Sequence, residues 1–195
     1  MTEMTAPLRP TVDVRRRDER FTTRLSWLDV NNDDIVRPGT GFETHPHQDM
    51  EMVTWVLRGS LVHQVSHFVQ MWVVPDSDGS TPGYEQVEID DELLRGGLVP
   101  VASGMDSRDG ASAIRIKNKY AALHAARLGS GDAVELPEAP FLHLFVPRGN
   151  VTLEGTGDLA EGDAVPFTAT GGQRVSAAEP AEILVWEMHA TFSAW

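Results

Sequence analysis

Strand-sized runs separated by turn-forming residues dominate this chain, and that cadence constrains its fold more than any other feature. Pro38-Gly39, Arg58-Gly59-Ser60, Asp78-Gly79, Gly96-Gly97, Gly129-Ser130-Gly131, Pro147-Arg148-Gly149-Asn150, Gly155-Thr156-Gly157, Gly162-Asp163 and Gly171-Gly172 punctuate it throughout. Between them lie Val53 to Leu57, Phe68 to Val74, Ile114 to Lys117, Ala121 to Ala126, Phe141 to Val146, Ala164 to Thr168 and Ile183 to Met188. Each is strand-sized, and many are rich in β-branched or aromatic residues, which suit a pleated, half-buried surface. Only Asp90 to Leu94 and Tyr120 to Leu128 read as helical, and the second reads equally well as a strand. The spacing predicts an all-β protein of antiparallel sandwich or barrel type.

Two echoes suggest two halves. Val56-Leu57-Arg58-Gly59-Ser60-Leu61 and Val146-Pro147-Arg148-Gly149-Asn150-Val151 share one pattern, each reading as a hairpin with glycine at the turn. Gly-Asp-Ala-Val occurs at 131–134 and again at 162–165, each time as a turn feeding a strand. Turn chemistry common to all hairpins explains these echoes as well as a duplicated domain does. The glycine-bearing stretch from Glu92 to Gly110 is the natural junction, giving an N-terminal domain over 1–94 and a C-terminal domain over 95–195. The second half offers roughly eight or nine candidate strands, but the first only about four or five between Leu25 and Val74, too few to close a barrel. The first half is therefore open, borrows strands, or lacks segments.

Composition removes whole classes. With no cysteine there is no disulfide, thiolate metal site or cysteine nucleophile. Sixteen Lys+Arg against 29 Asp+Glu leave a net charge of -13, which repels phosphate backbones, so no direct nucleic-acid partner is expected. Apolar runs such as Gly97 to Ala102 fall far short of the roughly 20 residues a membrane helix needs, and residues 1–10 show no signal-peptide core. No membrane association and a cytoplasmic location are the expectations.

The chemistry-bearing stretch runs from Gly39 through His45-Pro46-His47 and Glu51 to Gly59. In an extended chain side chains at i and i+2 project to one face, so His45 and His47 can present two imidazoles to one ion. Glu51 has the same parity and reads as a reserve ligand or as a residue that orients the ligands. Two histidines plus a carboxylate form a donor set known for non-haem iron, while imidazole equally suits Ni, Cu and Zn. The competing reading is a surface turn built around Pro46. Two protein ligands alone hold a metal weakly, and catalytic sites use at least three.

Other residues carry less. His63 and His67 flank a joint in the sequence, and His67, leading the apolar run Phe68 to Trp72, reads as packed or capping. His124, His143 and His189 read as satisfied core or edge histidines. Transferring the Val56/Val146 offset to the histidine pair lands on Glu135 and Pro137, so a duplicated second half has no matching ligands. Phosphate-loop, nucleophile-elbow and H-E-x-x-H signatures are absent. Arg15-Arg16-Arg17, followed at once by Asp18-Glu19, reads as a solvated face. Asp29 to Asp34 lacks the glycine and terminal glutamate of a calcium loop and reads as a polar turn.

From Gly39 to Gly59 the chain closely resembles the first motif of cupins, and Gly-Phe-Glu-Thr-His-Pro-His-Gln-Asp-Met-Glu-Met-Val-Thr-Trp-Val-Leu-Arg-Gly resembles the pirin family in particular. The similarity continues through His67-Phe-Val-Gln-Met-Trp-Val-Val-Pro, Thr81-Pro-Gly-Tyr-Glu-Gln and most of the C-terminal half, nearly the whole chain. The resemblance implies a bicupin, two jelly-roll β-barrels face to face. It further implies a single divalent transition metal in the first barrel, most often Fe(II), with Ni, Cu, Zn or Mn as alternatives, held by three His and one Glu. His45 and His47 match the family's H-P-H pair. Bacterial relatives of this kind are associated with quercetin 2,3-dioxygenase activity, implying a flavonol-like substrate and O2. Eukaryotic ones are associated with binding to transcription factors, implying a protein partner and a non-catalytic regulatory role as the alternative.

Two segments typical of the family have no counterpart. Gln64 runs directly into Val65-Ser66-His67 where relatives carry several dozen residues including the third His and the Glu, and a second gap lies near Asp29-Val30. Both fall in the half already short of strands. Either the natural product carries segments that this sequence omits, or the protein is a shortened member that has lost its metal centre. Loss of central barrel strands exposes unpaired edges, which favours the first, and an intact mass above 21.4 kDa is the corresponding expectation.

Overall fold

A computed structural model of the chain describes residues 9–17, 25–26, 28–36, 50–58, 66–77, 79, 81–95, 97–108 and 111–190. In chain order the strands are β1 (Thr11–Val12), β2 (Leu28–Val36), β3 (Glu51–Arg58) and β4 (Ser66–Val73), followed by the one-turn helix α1 (Asp91–Arg95). Then come β5 (Val99–Ser103), β6 (Ile114–Arg115), β7 (Ala121–Leu128), β8 (Ala133–Glu135), β9 (Phe141–Arg148) and β10 (Val151–Leu153). The last four are β11 (Gly157–Leu159), β12 (Ala164–Thr168), β13 (Arg174–Ser176) and β14 (Ala181–Met188). Among the described residues they form a 7-stranded sheet ordered β1-β12-β9-β14-β7-β5-β6, a 4-stranded sheet β11-β10-β13-β8 and a 3-stranded sheet β2-β4-β3. All pairings are antiparallel except β5 with β6. The chain is all-β, as its turn cadence predicts.

The 7-stranded sheet is the middle layer. On one face Leu142, Leu144, Val146, Ile183 and Val185 meet Val151, Leu153, Leu159 and Val175 of the 4-stranded sheet. On the other, Leu123, Ala125, Phe141, Phe145, Leu184 and Trp186 meet Trp55, Leu57, Val69, Met71 and Val73 of the 3-stranded sheet. Side chains alternate between faces along a strand. A strand covered on both sides therefore shows no burial alternation, and β14 is buried at every position. By contrast β3 faces the core only on one side, and beyond Glu51 its exposed Met52, Thr54, Val56 and Arg58 alternate with inward Val53, Trp55 and Leu57. At the β9–β10 turn Gly149 takes φ 77°, and a Cβ there would meet the Pro180 carbonyl oxygen at 2.6 Å, so the hairpin needs glycine. The matching turn at Gly59-Ser60 lies outside the described residues.

Three details differ from the sequence reading or sharpen it. The Asp29 to Asp34 stretch, expected as a polar turn, is part of strand β2, paired residue by residue with β4 from Val30↔Trp72 to Val36↔Ser66. An edge strand tolerates such polarity because its partner β4 supplies the apolar side chains, and the backbone pairing outweighs the turn preference of Asp and Asn. Tyr120 to Leu128 resolves as strand β7 from Ala121 onward. Its alanines are good helix formers, but layers on both faces demand small side chains there, and packing overrides propensity. Finally, β1, grouped by the sequence with the first half, pairs with β12 of the second through Thr11↔Thr168 and Val12↔Phe167.

Candidate functional site

The imidazole pair His45 and His47, and His63 with it, lie outside the described residues. The description resumes at Met50, and the residue that follows shows how this edge of the molecule is held. Glu51 opens β3, and its carboxylate accepts two backbone hydrogen bonds, from Lys117 N–H at Oε1 (2.6 Å) and from Asn118 N–H at Oε2 (2.9 Å). Charge-assisted bonds of this kind are about twice as strong as neutral ones. The parity that makes Glu51 a candidate metal donor in the sequence thus leads elsewhere in the fold: both oxygens are taken by amides of the loop between β6 and β7.

That loop is itself fixed. Asn118 is fully buried, donates from Nδ2 to Val74 O (2.8 Å), and accepts at Oδ1 from Tyr120 N–H (2.9 Å). Ile116 N–H bonds Ser103 O, and Ala121 N–H bonds Asn118 O. Gly104 lets the loop come this close, since a Cβ there would lie 2.2 Å from Asn118 O and 2.7 Å from Ile116 O. Lys117 Nζ donates to Thr81 O (2.6 Å). Lys119 sits 3.3 Å from Asp76 and 5.0 Å from the centre of the Tyr120 ring, and its ammonium pKa is raised, chiefly by the hydrogen bond with Asp76.

Further along β3 a second buried acid joins the halves. Glu182, on β14, accepts from the Trp55 indole N–H at Oε1 (2.6 Å) and from Arg127 Nε at Oε2 (3.1 Å), and Arg127 also pairs with Asp91 at the start of α1. Arg148 donates to Leu57 O (2.9 Å), and the Trp186 indole N–H donates to Met71 Sδ (3.2 Å). Burying a carboxylate is costly unless it is hydrogen-bonded, and here two donors supply that.

The remaining described histidines have local partners. His67 Nε2 lies 2.5 Å from Asp33 Oδ1 across the β2–β4 pairing. His124 and His189 contact the two oxygens of buried Glu187, at 2.8 Å and 2.7 Å. His143 is buried on β9 in register with Trp186. Reading His67, His124 and His189 as satisfied structural residues therefore agrees with their contacts. Among the described residues no group of three or more His, Asp or Glu is placed to hold a metal ion. The donor chemistry of His45 and His47 suits a divalent ion, while Glu51, Glu182 and Glu187 are each already hydrogen-bonded within the protein. Sequence reasoning missed Asn118, Glu182 and Glu187. Acids inside an otherwise apolar strand, as in Ala181 to Met188, are the signal that finds the last two, whereas Asn118 has none.

Comparison with known proteins follows the same lines. A family model described as Pirin matches residues 18–75. A Mycobacterium tuberculosis H37Rv protein provisionally named a quercetin 2,3-dioxygenase is 45% identical over 236 residues, covering 92% of this chain and 96% of the relative. The Escherichia coli K12 quercetin 2,3-dioxygenase is 29% identical over 166 residues, covering 67% of this chain and 69% of that protein. Among solved structures, YhhW from Escherichia coli has a TM-score of 0.73 at 23% identity, covering 92% of this chain and 100% of that one. The same bacterial pirin in complex with nickel(II) scores 0.75 at 22% identity with the same coverage. These structural likenesses show the fold. The 236 aligned positions exceed 92% of a 195-residue chain by several dozen, so the mycobacterial relative has residues where this chain has none.

Proposed function

Because this chain belongs to the pirin family of cupin-type proteins, we propose that it is a metal-dependent dioxygenase of the quercetin 2,3-dioxygenase type, acting in the cytoplasm on a flavonol-like aromatic substrate and O2. The observation that carries this reading is the 45% identity across 96% of a relative bearing that name, together with the His45-Pro46-His47 pair. His45 and His47 would hold one divalent ion, for which Fe(II) is proposed and Ni, Cu, Zn and Mn are the alternatives that metal analysis separates. Such an ion supplies Lewis acidity and a template for a substrate's adjacent oxygens. The chain's part is to hold and to exclude water. Pro46 between the imidazoles removes a backbone donor and fixes φ, which limits how far the pair can spread. Trp55 and Leu57 of β3, the strand that follows the pair, pack with Val69 and Met71 of β4 against the middle layer. No catalytic proton carrier is assigned.

Flavonol absorbance tests this reading. Quercetin incubated in air with protein loaded with Fe(II), and separately with Ni(II), is expected to lose its long-wavelength band, while protein carrying His45→Ala and His47→Ala leaves it unchanged. Persistence of the band with wild-type protein that demonstrably holds metal would overturn the enzymatic reading. One observation favours a second reading, a non-catalytic regulatory protein acting through a protein partner: the several dozen positions present in the relative and missing here. Under that reading metal is bound or absent without consequence for quercetin.

A further inference from the structure

We propose that Glu51 is a positioning residue, a two-point clamp that fixes the strand after the His45/His47 pair to the second half of the molecule. This rests on the metal reading above only for what the clamp is near. The clamp itself rests on geometry. Cupin-like spacing places a glutamate four residues after the second histidine, and donor chemistry alone makes it a ligand candidate. In the fold its two oxygens each accept one of two consecutive amide hydrogens, at 2.6 Å and 2.9 Å.

Three observations give those amides a fixed place. Asn118, whose own N–H is one of them, is fully buried and ties the end of β4 to the start of β7 through Val74 O and Tyr120 N–H. Gly104 leaves no room for the loop to shift inward, with Asn118 O already in the space a Cβ would fill. Lys117, owner of the other amide, is held at its far end by Thr81 O. A carboxylate bridging two such amides is preorganised, and moving it onto a metal would hand the exposed Lys117 N–H to water and leave the N–H of buried Asn118 without its acceptor. Glu51 therefore sets where β3 begins, and with it the anchor point of the chain that leads back to His47.

Backbone amide hydrogen exchange on the full chain tests the clamp. In wild-type protein the Lys117 and Asn118 amides are expected to be protected, and to remain so after addition of Ni(II). In Glu51→Gln, whose side-chain amide offers one acceptor and turns a donor toward the second N–H, exchange at one or both is expected to rise about tenfold or more. Glu51→Gln is further expected to bind as many equivalents of Ni(II) as wild type but to release them faster to a chelator. Loss of protection at Lys117 and Asn118 when Ni(II) is added to wild type would overturn the proposal, by showing that the carboxylate moves to the ion. Unchanged exchange in Glu51→Gln, or loss of its stoichiometric Ni(II), would overturn it as well. If wild type binds no Ni(II) at all, the metal reading fails, while the exchange comparison still decides the clamp.

Discussion

Single side chains at the seam between the halves do work that their sequence neighbours do not reveal. Glu182 is one of two acids in the otherwise apolar strand β14, and it is buried with Trp55 and Arg127 as its donors. Replacing Trp55 with Phe removes one donor and leaves one carboxylate oxygen dry and unmatched. A loss of about 1–3 kcal/mol in urea unfolding is expected, and a change below about 0.5 kcal/mol, the scale of an ordinary surface substitution, would mean the bond contributes little. Gly104→Ala pushes a methyl into the Asn118 carbonyl and is expected to cost a comparable amount through overpacking. An equally stable Gly104→Ala variant would show that the β6–β7 loop is free to move. Sequence legibility at this scale was uneven. Which histidines are structural could be read from their apolar surroundings, but for Glu51 a reserve ligand and an orienting residue could not be told apart, because its partners are backbone amides more than sixty residues away, and amides leave no trace in a pattern of residue types.

Among the elements, the long strands were legible because their lengths and bounding turns are local properties. Val53 to Leu57, Phe141 to Val146 and Ile183 to Met188 all fall inside observed strands. What escaped was anything decided by a neighbour. Strand β2 carries Asp and Asn where a turn is expected and is a strand because β4 pairs with it. Strand β7 carries alanines because layers close on both its faces. This last point is testable: Ala125 faces the 3-stranded sheet and Ala126 the 4-stranded sheet, both fully buried. Ala125→Leu and Ala126→Leu should therefore each destabilise by about 1–3 kcal/mol. A strand with one solvated face would tolerate one of the two, and that result in thermal or urea unfolding would contradict the three-layer arrangement.

At the scale of the whole molecule, the all-β architecture follows from turn cadence, and the mycobacterial relative aligns over several dozen more positions than this chain supplies. The sequence pattern leads us to expect the residues missing relative to that protein between Gln64 and Val65 and near Asp29-Val30; among the described residues, β2, β3 and β4 form the 3-stranded sheet that rests on the middle layer. A natural product heavier than 21.4 kDa is expected on mass spectrometry, and a mass equal to that value identifies a shortened member. Either way the proposed function depends on one pair of side chains. Metal content after anaerobic loading with Fe(II) or Ni(II) and exhaustive dialysis measures it directly. About one equivalent per wild-type chain, falling to background in both His45→Ala and His47→Ala, is the predicted result. A wild type that retains no metal, or variants that retain as much as the wild type, would contradict it.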